Sequence, residues 1–157
     1  MAVDKAEFRR ALGHFAAGVN VVTAAFEDGT KAGITVTAFT SLSLEPPLVL
    51  ICIDKRARIH DRLVVGSHFA VNMLSDKQEL QSREFASSKE DRFTKFGHRT
   101  GSTGAPLLHG AIAIVECRTV ELHAGGDHTI VVGQVEFTHV AEGKPLLYFR
   151  GGYAQLG

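Results

Sequence analysis

A chain of 157 residues, 45% of them apolar, can bury a full hydrophobic core, and residues 1–157 read as one domain. Seventeen basic side chains balance seventeen acidic ones and lie scattered along the chain, which argues against nucleic acid or an anionic membrane surface as the main partner. No apolar run approaches the roughly 20 residues needed to cross a bilayer. The start Met1-Ala2-Val3-Asp4-Lys5 lacks a basic-then-apolar leader, so a soluble cytoplasmic protein is expected.

Asp4 and Glu7 have capping-box spacing, and Phe8, Ala11, Leu12 and Phe15 follow at helical intervals, with Gly18 as the expected stop. From Val19 the period changes to two. Val19–Phe26 reads as a strand, turned at Asp28-Gly29 into a second strand over Lys31–Ala38. Phe39–Pro47 reads as irregular, since Pro46-Pro47 cannot sit in a central strand. Leu48–Ile53 is uniformly apolar and is expected to be buried on both faces. Ala57–Val65 has mixed helical character, ending at Gly66.

His68–Met73 reads as a short strand, and Ser75 as the cap of a helix around Lys77–Phe85. Ala86–Pro106 is polar, a functional or mobile loop with His98–Gly104 exposed. Ile112–His123 and Thr129–Val140 alternate as two long strands, joined through Ala124-Gly125-Gly126-Asp127-His128 into a hairpin. A turn at Ala141–Pro145, a strand at Leu146–Phe149 and a Gly-rich tail at Arg150–Tyr153 complete the chain. Strands outnumber helices and connect through hairpins, which points to a mainly β, antiparallel barrel with a few peripheral helices.

The two cysteines, Cys52 and Cys117, lie in apolar runs and read as buried reduced thiols. Gly33–Ser43, which becomes rich in small and hydroxyl residues, reads equally as a ligand platform or as a strand running into a Ser/Thr-rich turn. There is no glycine-rich nucleotide fingerprint, so a phosphate site would need strand-end amides, hydroxyls and a cation. His128 reads either as a polar turn residue or as a site residue. The remaining histidines show no ligand spacing, so no metal is expected.

The run Gly33-Ile34-Thr35-Val36-Thr37-Ala38-Phe39-Thr40-Ser41-Leu42-Ser43-Leu44-Glu45-Pro46-Pro47-Leu48-Val49-Leu50 is similar to the signature of the flavin reductase family. These are reductase components of two-component flavin-dependent monooxygenases, built on the Greek-key FMN-binding split barrel. Phe8–Val19 resembles the family's first helix and strand. Phe69–Leu74 with Phe85-Ala86 and Asp91-Arg92-Phe93 resembles its middle, and Gly126-Asp127-His128-Thr129 followed by Gly133-Gln134-Val135 its hairpin. The ordered set covers nearly the whole chain.

The resemblance implies bound FMN or FAD, and NADH or NADPH as the electron donor. By analogy the flavin ring system lies along Thr35, Val36, Thr37 and Ala38. Ser41 and Ser43, then Cys52, Ile53 and Asp54, line the ring and ribityl chain, while Phe85, Ala86 and Arg92 close the phosphate end. Many relatives carry Ser or Thr where this chain has Asp54-Lys55-Arg56-Ala57-Arg58. Lys55, Arg56 or Arg58 either replace hydroxyl contacts with charge or form a solvated helix face.

His128 is the implied catalytic residue, bordering the nicotinamide and acting by alignment, with Asp127 either orienting it or favouring the turn. Gly152 and Tyr153 are implied beside the nicotinamide, on a tail that folds over the site or is simply disordered. A homodimer is also implied, handing reduced flavin by diffusion to a transient oxygenase partner. The rival readings are a tightly FMN-bound electron carrier of the same fold and a non-catalytic flavin- or haem-binding module.

Overall fold

The computed structural model describes every residue except 1, 2, 88, 90 and 91; Asp91 of the Asp91-Arg92-Phe93 motif therefore lies outside the described residues. Helix α1 spans Lys5–Leu12. Asp4 caps it, its Oδ1 accepting the Glu7 N–H at 2.8 Å. The Glu7 carboxylate turns to Arg10 instead of returning to the cap, so only half of the capping box forms. The helix ends at Gly13, not at Gly18, which belongs to the short strand β1 (Ala17–Gly18).

Strands β2 (Asn20–Ala25) and β3 (Lys31–Val36) form the expected hairpin. Its turn uses Gly29, whose φ of 84° suits a residue without a side chain. The stretch expected to be irregular contains β4 (Phe39–Ser43), an edge strand whose ladder stops before the two prolines. In β5 (Leu48–Asp54) burial alternates: Val49, Ile51 and Ile53 are buried, while Leu48, Leu50, Cys52 and Asp54 are only half-buried. Uniform apolarity had hidden that second, partly open face. Ala57–Val65 forms no α-helix, only a 3₁₀ turn at His60–Arg62.

Strand β6 (His68–Met73) leads to α2 (Glu79–Phe85), capped at Gln78 without a side-chain bond. The polar stretch after it contains α3 (Arg92–Lys95) and a small hairpin of β7 (His98–Thr100) and β8 (Pro106–Leu108). His98 is half-buried there, not exposed, its Nδ1 lying 3.1 Å from the Phe93 carbonyl. Long strands β9 (Ala113–Gly125) and β10 (His128–Val140) pair along their length, and the tail contributes a further hairpin of β11 (Leu146–Phe149) and β12 (Gly152–Gln155).

Seven strands make one antiparallel sheet in the order β3-β2-β6-β9-β10-β5-β4. Two register shifts, with the extra residue at Val120 of β9 and at Glu136 of β10, bend the long hairpin, and β3 approaches β5 across the curl. The enclosed core includes Val22, Ile51, Ile53, Phe69, Val71 and Val131. Because β2 is buried on both faces, its Val21 points the other way, into a second cluster with Leu74, Phe85, Leu108 and Leu146. That second cluster fixes α2 and the small sheet β1-β11-β12 against the barrel wall.

Candidate functional site

A cleft of about 480 Å³ opens where β3 faces the segment after β5. Lys31, Gly33 and Ile34 form one wall, Arg56, Arg58 and Ile59 another, and Phe85, Ala86 and Arg92 the end. Phe26, Thr30 and Arg62 stand at its far side. Five lining side chains are cationic, and none of the described lining residues is acidic. Charge of one sign beside apolar walls suits a phosphorylated ligand with a flat ring.

The cations differ in what they already hold. Arg56 grips Asp54 through Nη2 at 2.9 Å and Nε at 3.2 Å, which holds the Asp54 carboxyl well below the usual carboxylate range. Arg62 reaches Asp28 at 3.1 Å and lies 3.9 Å over the Phe26 ring. Asp28 is lowered to about 2, chiefly by its bonds from Thr30, with Arg62 contributing less. Arg92 donates to the carbonyls of Phe85 and Ser87 at 3.2 and 3.1 Å. Burial pushes the Arg92 guanidinium down, and the like charge of Arg58 adds to the effect.

A hydrogen-bonded relay runs beside the cleft. Thr35 Oγ1 donates to the Ser82 carbonyl at 2.7 Å, and Ser82 Oγ lies 2.6 Å from the Tyr153 hydroxyl. Arg83 stacks over the Tyr153 ring at 4.8 Å, and Tyr148 meets it edge-on at 5.5 Å. Tyr153 is therefore fixed in β12, correcting the expectation of a loose tail; Gly152 opens that strand opposite Phe149.

His128 is the first residue of β10, paired with Asp54 of β5. Its Nδ1 lies 2.7 Å from Asp127 Oδ1, and since an ionised carboxylate only accepts, Nδ1 is the donor. Asp127 thus orients the ring. The bond from His128 also holds the Asp127 carboxyl below its ordinary value.

The expected site residues divide into groups. Phe85, Ala86 and Arg92 line the cationic cleft, and Asp54 with His128 reaches it through Arg56. Thr37 lines a second cleft of about 360 Å³ with Phe15, Phe39 and Met73. Val36 and Ile53 are buried in the barrel core, so each can offer a ligand only its backbone. Ala38 and Ser41 are exposed and Ser43 half-buried, the serines on edge strand β4; Cys52 is half-buried on the partly open face of β5. Sequence reasoning missed Phe26, Lys31, Arg62 and Ser82, which no local motif connects.

Residues 12–157 match the family model described as "Flavin reductase like domain". The chain is 36% identical over 154 residues to the reductase subunit HsaB of a flavin-dependent monooxygenase from Mycobacterium tuberculosis, covering 96% of this chain and 82% of that protein. It is 39% identical over 153 residues to a flavin reductase from Pseudomonas putida, covering 97% and 90%. Among solved structures, the Streptomyces globisporus NADH:FAD oxidoreductase SgcE6, in complex with NAD and FAD fragments, superposes with a TM-score of 0.93 at 38% identity over 100% of this chain and 97% of that one.

Proposed function

The chain belongs to the flavin reductase family, and from that premise we propose that it oxidises a reduced nicotinamide nucleotide at a bound flavin and supplies the reduced flavin to a partner monooxygenase. The observation that carries this reading is the cationic cleft, five basic side chains with no described carboxylate in the lining, ending on the Phe85 ring. That donor set fits a flavin phosphate, with Arg92 holding it. When bound, the flavin supplies a two-electron acceptor for hydride.

The residues bind, orient and exclude water. Arg92, anchored on two carbonyls, presents its remaining N–H groups to phosphate. Thr35, with its hydroxyl tied to Ser82, offers backbone amides on β3 for the ring edge. His128, oriented through Nδ1 by Asp127, leaves Nε2 for the nicotinamide side and works by alignment. Ser41, Ser43 and Cys52 would border the ring from β4 and β5.

Residues 1–157 act as one flavin reductase-like domain in this reading, supported by the match over 12–157. A homodimer belongs with it: α1 has no buried residue, and Phe15, Leu44 and Val140 are 78%, 92% and 86% exposed, apolar side chains that a second copy would cover. A cytoplasmic location is supported by the free thiols of Cys52 and Cys117. No described helix is long and apolar enough to cross a membrane.

The test is to mix purified protein with FAD or FMN and with NADH or NADPH, following the nicotinamide absorbance. Consumption far beyond one equivalent of protein is expected. Anaerobic bleaching that stops at one equivalent would instead mark an electron carrier, and no oxidation would mark a non-catalytic module. His128→Ala is expected to raise the nicotinamide KM; an unchanged KM and rate would remove His128 from the site.

A further inference from the structure

His128 stands at the tip of the β9–β10 hairpin, and two bonds tie that tip to the segment after β5. Before His128, the Asp127 carbonyl accepts the Lys55 N–H at 3.0 Å. After it, Thr129 Oγ1 lies 2.7 Å from His60 Nε2. His60 Nδ1 lies 2.7 Å from Asp61 Oδ1, and an ionised carboxylate only accepts, so Nδ1 carries a proton. In the uncharged ring Nε2 is then the acceptor, and the Thr129 hydroxyl donates to it. Thr129 pairs with the fully buried Ile53, which puts its side chain on the core side of β10. His128 pairs with Asp54 and points to the opposite face.

His60 is itself held in place. Its side chain is only 18% exposed, and Ile59 and Leu63, on either side of the 3₁₀ turn, are buried in the barrel core. Ile59, with Arg56 and Arg58, also walls the cationic cleft, although neither His60 nor Thr129 lines it. The His60–Thr129 bond therefore joins the back of that wall to the strand that carries His128. Asp127 sets the rotation of the His128 ring; the bond from Thr129 to His60 sets where the backbone beneath that ring lies. Resting on the flavin reductase reading, we propose that His60 is a positioning residue, acting through the Thr129 hydroxyl to hold His128 in register with the cleft for the nicotinamide. An aligning group loses its effect when it moves by a fraction of its contact distance, so a clamp directly beneath it governs how well the nicotinamide is met.

The experiment compares Thr129→Val, which replaces the hydroxyl by a methyl group, with Thr129→Ser, which keeps it. Nicotinamide KM, kcat and the flavin dissociation constant are measured for each, alone and combined with His128→Ala. Thr129→Val is expected to raise the nicotinamide KM about fivefold, the scale of one hydrogen bond, with kcat and flavin affinity held. Thr129→Ser is expected to recover the wild-type KM. In the His128→Ala background Thr129→Val is expected to add nothing, because its effect runs through His128. A reading without cofactor comes from the imidazole NMR signal of His128 in flavin-free protein, assigned by its loss in His128→Ala. That signal is expected to move or broaden in Thr129→Val and in His60→Ala, and to return to its place in Thr129→Ser. An unmoved His128 signal, an unchanged KM, or equal KM increases in both backgrounds would overturn the proposal. A parallel fall in flavin affinity would mark the bond as scaffolding for the whole barrel end and overturn it as well. Failure of the underlying reading has a different signature: the wild type would oxidise no NAD(P)H although its His128 signal still responds to Thr129→Val.

Discussion

His139 Nε2 lies 2.7 Å from Oε2 of Glu116, a fully buried carboxylate on the neighbouring strand. The other oxygen of Glu116 accepts from the Thr103 N–H at 2.9 Å and hydroxyl at 2.8 Å, so one side chain ties the β9–β10 hairpin to the β7–β8 loop. Arg99 approaches His139 Nδ1 at 3.5 Å; as arginine only donates, the proton facing Glu116 sits on Nε2. Burial pushes the Glu116 carboxyl up, but the bonds from His139 and Thr103 outweigh it and hold the carboxyl below its ordinary value. A lowered folded-state value means that this group's stabilisation is fully present above the unfolded carboxylate pKa of about 4.3 and is lost as pH falls through the folded one. Glu116→Gln is expected to cost about 1–3 kcal/mol at neutral pH and to flatten the acid limb of the stability curve. Urea unfolding at neutral pH and at pH values below 4.3 checks both, and an acid limb identical to wild type would refute the assignment.

Gly33 is required by close packing. A Cβ placed there would lie 2.7 Å from two carbons of the Phe85 ring, which is itself fully buried. Gly33→Ala must push that ring, with an expected loss of about 1–3 kcal/mol. Because the same ring ends the cleft, flavin affinity is expected to fall in parallel, read by fluorescence titration.

Removing one hydroxyl tests whether β12 is anchored. Tyr153→Phe deletes the 2.6 Å bond to Ser82, whose side chain is fully buried. A loss of about 1 kcal/mol is expected in the urea midpoint. No change would mean that the strand ladder alone holds the C-terminal segment in place.

The two thiols are expected to differ in reactivity. Cys117 is buried, and burial pushes its thiol up to about 12, with the charges of Glu136 and Glu116 adding to the effect. Cys52 is half-buried on the partly open face of β5. A disulfide-exchange reagent near pH 8 is expected to titrate one thiol in the folded protein and two after denaturation. Two fast thiols in the folded state would contradict the placement of Cys117.

Most of the barrel was legible because β2, β3, β6, β9 and β10 carry a period-two pattern between turn residues. β4 was not, since Thr40, Ser41 and Ser43 suit a turn as well as an edge strand and only pairing with β5 decides. β12 was hidden by Gly151 and Gly152, which read as a loose tail until Tyr148 and Tyr153 face each other across the ladder. Ala57–Val65 looked helical because its apolar spacing is, yet Ile59 and Leu63 reach the core from a 3₁₀ turn. In the site, the motif at Phe85, Ala86 and Arg92 led to the cleft. Phe26, Lys31 and Arg62 reach it from separate parts of the chain, and their meeting depends on the curl that brings β3 to β5.

The neutral chain gathers five basic side chains in one cleft, only Arg56 and Arg62 of them paired with a described carboxylate, so its surface potential is uneven even though its total charge vanishes. Anionic ligands approaching it travel down a local field that extends about 10 Å at 0.1 M salt. Capture is then faster than the overall charge suggests, and added salt slows it. A reductase that hands on a diffusing anionic flavin must also let go, so the same screening that slows capture shortens residence. For the function proposed above, the expected outcome is that rising ionic strength shifts the balance from holding flavin for reduction toward delivering it.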